Sequence, residues 1–139
     1  GEMDEIVGYT PTLFWKTKEE DAAFFLMKNQ KNQFAELSVS CVEWKNIFSL
    51  EIMLERAKLQ ITGLGKSYGK ERLLLYKMKP EMGPPELEEF DFAPEDISWQ
   101  EENQVFFARI NKSDYSDKAI TDASYVLQQV NKLYLQNKR

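Results

Sequence analysis

Between Glu5 and Met78 the chain is a succession of short stretches that each read as a β-strand: EIVGYTPTLFWK, DAAFFLMK, QFAELSVSCVEW, IFSLEIMLE, KLQITG and RLLLYKM. β-Branched, aromatic and leucine residues fill them, and polar clusters divide them. The brevity of the connections constrains the topology most. A parallel neighbour needs a crossover of about a dozen residues or more. The NQKNQ stretch at 29–33 leaves no room for one, and its Asn29 and Asn32 tolerate the backbone of a tight bend. Consecutive strands are therefore expected to pair antiparallel.

Some runs are apolar on both parities, as at Phe24, Phe25, Leu26 and Met27, which predicts cover on both sides of at least part of the sheet. PEMGPPELEEF interrupts the pattern, its Pro80, Pro84 and Pro85 forcing extended chain, and reads as a crossing segment. The charge runs Lys18–Asp21 and Glu86–Asp91 read as solvated edges. The last third is helical in pattern. Ser98 and Glu101 fit a capping box for a helix carrying Phe106 and Ile110 on one side. A second helix, from about Thr121, sets Ala123, Val126, Leu127, Val130, Leu133 and Tyr134 into one apolar stripe. These elements predict an α+β fold over a single domain, 1–139: an open, mainly antiparallel sheet with two C-terminal helices packed on one face. The other face is left to meet a surface outside the domain.

Composition narrows the chemistry. With 139 residues and 42% hydrophobic content the chain can bury one core without metal or disulfide. A net charge of −5 argues against an extended nucleic-acid surface. There is no histidine, which removes the commonest general base, the usual zinc ligand and every imidazole triad. The lone Cys41 sits in a strand-like run, where a small buried hydrophobe is the ordinary role. One cysteine forms no disulfide framework, no apolar run is long enough for a bilayer, and no secretory leader is visible, so a cytoplasmic location is expected. The start at Gly1 rather than Met suggests an excised piece.

The glycine-rich GLGKSYGKER, 63–72, invites a phosphate reading and fails it. A P-loop needs glycine where Gln60 stands, and the dinucleotide fingerprint needs it where Tyr68 stands. Strand-like sequence lies on both sides, so the stretch is expected to link two strands. Glu43 and Glu51, in neighbouring strand segments, are a conceivable acid–base pair for a hydrolase; decoration of exposed sheet is the plainer reading. Glu43-Trp44-Lys45-Asn46 is richer, because an indole offers a flat apolar platform and Lys45 and Asn46 offer hydrogen bonds, as a pocket wall does. Tyr68 projects either toward a ligand or into turn packing.

Together GEMDEIVGYTPTLFW, EDAAFFLMKNQKNQFAELSVSCVEWKNIFSLEI, LQITGLGKSYGKERLLLYKM and PEMGPPELEEFDF resemble the C-terminal domain of the Gfo/Idh/MocA oxidoreductases, the family of glucose-fructose oxidoreductase and inositol dehydrogenase. The most specific marks are Glu43 to Asn46 and the Gly63-Leu64-Gly65 to Ser67-Tyr68-Gly69 stretch. The resemblance implies an N-terminal Rossmann domain carrying NAD or NADP as partner, a sugar or polyol substrate, and a homo-oligomer formed through the open sheet face. The family's nucleotide fingerprint, its Glu-Lys-Pro motif with the catalytic lysine, and its Asp and His have no counterpart in this chain. No catalytic, cofactor-binding or metal residue is carried over, and the chain alone is expected to be inactive. Trp44, Lys45, Asn46 and Tyr68 are the substrate-side candidates. The alternative is a stand-alone ligand-binding or protein-interaction module without enzymatic activity.

Overall fold

The computed structural model describes residues 2–92, 95–113 and 118–137. Its elements in chain order are β1 (Glu5–Tyr9), β2 (Ala22–Lys28), β3 (Phe34–Ser40), β4 (Ser49–Met53), β5 (Ala57–Thr62), β6 (Arg72–Lys77), β7 (Glu86–Asp91), α1 (Ser98–Asn111) and α2 (Lys118–Asn137). The class is α+β with open, antiparallel sheets, as the strand spacing predicted. The strands form two sheets, and the chain two compact units: residues 2–43 with α2, and Trp44–Ser113.

In the first unit β1, β2 and β3 form an antiparallel meander in sequence order. The β2–β3 turn is built by Asn29, whose buried side-chain oxygen accepts from the N–H groups of Lys31 and Gln33, while Asn32 takes the left-handed backbone its type tolerates at φ 56°. Asp21 organises the connection before β2: its carboxylate accepts the backbone N–H groups of Leu13, Phe14 and Trp15 at 2.7–2.9 Å. Pro11 marks why β1 stops short of the longer strand the sequence suggested, since it offers no N–H to a ladder.

α2 packs along β1, and its inward face is not the expected stripe. Leu133 is 5% exposed, but Val126, Leu127 and Val130 face outward, Leu127 at 68%. The inward positions include Gln129, Gln136 and Asn137. The reason is hydrogen bonding: the outer edge of β1 carries carbonyls that no strand satisfies. Gln136 Nε2 donates to Ile6 O at 2.6 Å, Asn137 Nδ2 to Gly8 O at 3.0 Å, and the Tyr125 hydroxyl to Met3 O at 3.0 Å. These donors fix the helix rotation at the expense of apolar burial. The Tyr134 hydroxyl donates to the Glu20 carboxylate. Cover on both sides of β2 is not found within this unit: Phe25 and Met27 are half-buried, Phe24 and Leu26 exposed.

The second unit is the meander β4-β5-β6-β7. Its registers sort the side chains by parity in part. Leu50, Ile61, Leu73 and Phe90 share one row, and Ile52, Leu59 and Leu75 continue that apolar face. The opposite face carries Glu51, Gln60, Leu74 and Glu89 in one row, flanked by the row Ser49, Thr62, Arg72 and Asp91. β7 corrects the crossing-segment reading from Glu86 onward, for the acidic 86–91 run is a strand; it is the outer strand of its sheet with all six residues exposed, as the solvated-edge reading expected. Antiparallel pairing with β6 sets Lys77 beside Glu88, and Lys70 and Arg72 beside Asp91, so basic residues of one segment balance the acids of the next.

α1 begins as expected but without its capping box. Ile97 holds the cap position, and Asp96 Oδ1 instead accepts both the N–H and the hydroxyl of Ser98. No α1 residue is buried, and α1 packs on none of the strands of its own unit, whereas the sequence predicted both helices on one face. Phe106 and Phe107 touch edge to face on its surface.

Candidate functional site

In the four-stranded unit, β4 begins and β5 ends at the same end of the sheet, where β6 also begins and β7 ends. The Gly63 N–H donates to Phe48 O at 3.3 Å and carries the β4–β5 ladder one step further. The connections 44–48 and 63–71 therefore leave from one place. Trp44, Lys45 and Asn46 occupy the first and Tyr68 the second, so antiparallel pairing brings the expected substrate-side segments to a common end. Trp44 is fully exposed (100%), Lys45 and Asn46 are exposed, and Tyr68 is 40% exposed at the close of a single 3-10 turn, Lys66–Tyr68.

The 63–71 connection is shaped by backbone. Gly63 is buried at φ 77°, with its Cα facing the carbonyl of Lys70 across the neck of the loop. The Glu71 carboxylate closes that neck by accepting the Gly65 N–H at 2.6 Å. Beside it Asp91 receives Lys70 Nζ at 2.5 Å and Arg72 Nε at 3.6 Å. The Lys70 hydrogen bond outweighs the opposing effect of desolvation and, with lesser help from the charges of Lys70 and Arg72, holds the Asp91 carboxyl below its ordinary range. The loop joins antiparallel strands, with no helix N-terminus to receive a pyrophosphate, and a carboxylate already occupies the Gly65 amide. Its donor set does not fit a dinucleotide, and no redox step is assigned to this chain.

One row further along the polar sheet face, Glu51 pairs with Lys58 at 2.6 Å and accepts Gln60 Nε2 at 3.1 Å. The Tyr76 hydroxyl donates to Gln60 Oε1 at 3.4 Å, and Lys58 lies 5.8 Å from the Tyr76 ring centre. Glu51, weighed above as half of an acid–base pair, is thus an ion-paired sheet residue; Glu43 belongs to the three-stranded unit. Cys41 corrects another reading. β3 ends at Ser40, Cys41 spends its N–H on Asp21 O, and its side chain is exposed rather than buried.

Sequence reasoning missed Lys70, Arg72 and Asp91 at the shared end and Gln60 and Tyr76 on the polar face. Their parity was readable in Lys58-Gln60-Thr62, but the partner strands depend on register. The segments that leave this end of the sheet carry between them an indole, cationic and amide donors, and carboxylate acceptors. Residue types of that kind suit hydroxyl-rich or mixed polar ligands. Among the described residues no group of three or more His, Cys, Asp or Glu side chains could hold a metal ion, and no helix is long and apolar enough to cross a membrane.

No protein-family model, no curated protein and no solved structure matches the chain.

Proposed function

We propose that this chain is the substrate-binding and oligomerisation part of an NAD(P)-dependent sugar or polyol oxidoreductase of the Gfo/Idh/MocA type, with the dinucleotide and the hydride chemistry supplied by a partner Rossmann domain. The observation that carries the reading is the common exit of 44–48 and 63–71, fixed by the Gly63–Phe48 bond, because these are the two segments most specific to the family resemblance. The chemistry agrees. The Trp44 indole suits the C–H face of a sugar ring, Lys45 and Asn46 suit its hydroxyls, and Tyr68 can add a second aromatic or a hydroxyl contact. In the intact enzyme this part would cover the substrate and exclude water while hydride passes elsewhere.

The test is a titration of the chain with glucose and with inositol, followed by amide and indole NMR signals. The reading expects shifts confined to Trp44–Asn46 and the Gly63–Tyr68 connection, weakened by Trp44→Ala and Lys45→Ala. Shifts that ignore these residues, or none at high millimolar ligand, would overturn it.

A protein-interaction module without enzymatic activity is the second reading. It is favoured by the exposed row Val7, Tyr9, Phe24, Leu26 and Phe34 on one face of the three-stranded sheet.

A further inference from the structure

Four strands lie at sheet edges, and three of them are guarded. The outer edge of β1 is occupied by Gln136 and Asn137 of α2. β7 has acids at Glu86, Glu88, Glu89 and Asp91, so either register that joins it antiparallel to a copy of itself sets Glu against Glu. β4 paired to its copy over its full length sets Glu51 against Glu51. β3, FAELSVS, has no such guard, and no other strand of its sheet and no helix of its own unit lies on its outer side.

The direction of its free groups follows from the bonds at its two ends. The Asn29 N–H donates to Gln33 O, and the Cys41 N–H donates to Asp21 O. Both belong to the series Ala35↔Met27, Leu37↔Phe25 and Val39↔Ala23, so the odd-numbered residues of β3 bond to β2. The N–H and C=O groups of Phe34, Glu36, Ser38 and Ser40 therefore point outward.

We infer that β3 is a homodimerisation edge: two copies of the chain pair their β3 strands antiparallel about a two-fold axis at Leu37. In this register Phe34 meets Ser40 of the second copy and Glu36 meets Ser38, so every outward backbone group of the strand finds a partner. No like charges oppose one another. Ala35, Leu37 and Val39 of the two copies then form one apolar strip across the axis, and Val39, 61% exposed in the single chain, gains cover. The occupant is the same strand because its pattern complements itself. The inference is independent of the sugar reading, since dimerisation is measured without ligand.

The test uses disulfide trapping in a Cys41→Ser background, which removes the one exposed native thiol. At the axis the two Leu37 Cα atoms form a non-hydrogen-bonded pair about 4.5 Å apart, within disulfide reach. Leu37→Cys should give a covalent dimer under mild oxidation. Val39→Cys should not, because the two copies of that position stand about 13 Å apart along the strands. Sedimentation of Ser38→Lys and Ser38→Glu, both solvent-facing changes, supplies a second measure. Lysine opposite the partner's Glu36 should tighten the dimer, and glutamate should loosen it, each by about 2- to 30-fold. A chain monomeric at all concentrations, equal trapping at both cysteine positions, or the same effect from both charge changes would overturn the inference.

Discussion

Gly63→Ala tests the neck on which the candidate site depends. Gly63 adopts φ 77°, where an L-residue pays about 1–2 kcal/mol. An added Cβ would lie 2.4 Å from Lys70 O, 2.6 Å from Lys70 C and 2.9 Å from Glu71 N. All three atoms are backbone, so no side chain can swing aside, and the start of β6 must move away from the end of β5. That movement strains the Gly65–Glu71 bond, a charge-assisted contact worth about 1 kcal/mol when half-exposed. The reduced freedom of the unfolded chain returns only about 0.4–1 kcal/mol. The expected destabilisation is about 2–4 kcal/mol. Gly83→Ala in the same unit is the control: no atom lies within 4 Å of its added Cβ and its backbone is not left-handed, so the change should be neutral or stabilising by up to about 1 kcal/mol. Urea unfolding would give both values, and hydrogen exchange at Leu59–Ile61 and Leu73–Leu75 would localise the loss. Equal midpoints for the two variants would refute the claim that the loop is held by backbone approach at Gly63.

Two further outcomes follow from the three-stranded unit. Burial alone would push the Asp21 carboxyl up, but the N–H groups of Leu13, Phe14, Trp15 and Asp21 itself outweigh it and hold the group below the ordinary aspartate range. Its stabilisation is therefore complete above the ordinary aspartate pKa and is lost as pH falls from there through the lower folded value. Asp21→Asn should flatten that acid limb, read from the amide signals of Leu13 to Trp15, and an unchanged limb would contradict the assignment. Asn137→Ala removes the donor to Gly8 O and the acceptor for the Thr10 N–H, and should cost about 1–2 kcal/mol in urea unfolding. Leu127→Ala, on the exposed side of the same helix, should cost less than about 0.5 kcal/mol, so a larger loss at Leu127 would mean that the apolar stripe faces inward after all.

How far the sequence could be read depended on whether a feature was local. Strand identity, the Asn29–Asn32 turn and antiparallel pairing rest on neighbouring residues and short connections, and each was legible. Helix rotation was not. The apolar stripe of α2 argued for one face inward, but unsatisfied carbonyls on β1 selected another, and that demand comes from a strand more than a hundred residues earlier. That the acidic 86–91 run forms a paired strand was hidden for a related reason. Its charges are tolerable in a strand because Lys70, Arg72 and Lys77 arrive opposite them, and register decides that arrival. Trp44, Lys45, Asn46 and Tyr68 were visible as residue types, whereas the placing of Asp91 and Arg72 at the same sheet end needed the pairing of β6 and β7.

The same logic gives the edges their meaning. An open sheet must leave two outer strands, and a chain with two such sheets has four to manage. Here α2 gives up part of its apolar burial to cover β1, and β7 is dense in carboxylates, both costly if the only aim were a stable fold. A protein that covers one edge with a helix and charges another, yet leaves β3 bare, with apolar side chains on both faces and self-complementary outward positions, has a surface suited to one kind of neighbour. A strand of the same sequence meets every requirement of that surface at once, which is why the trapped pair at Leu37 is the decisive measurement.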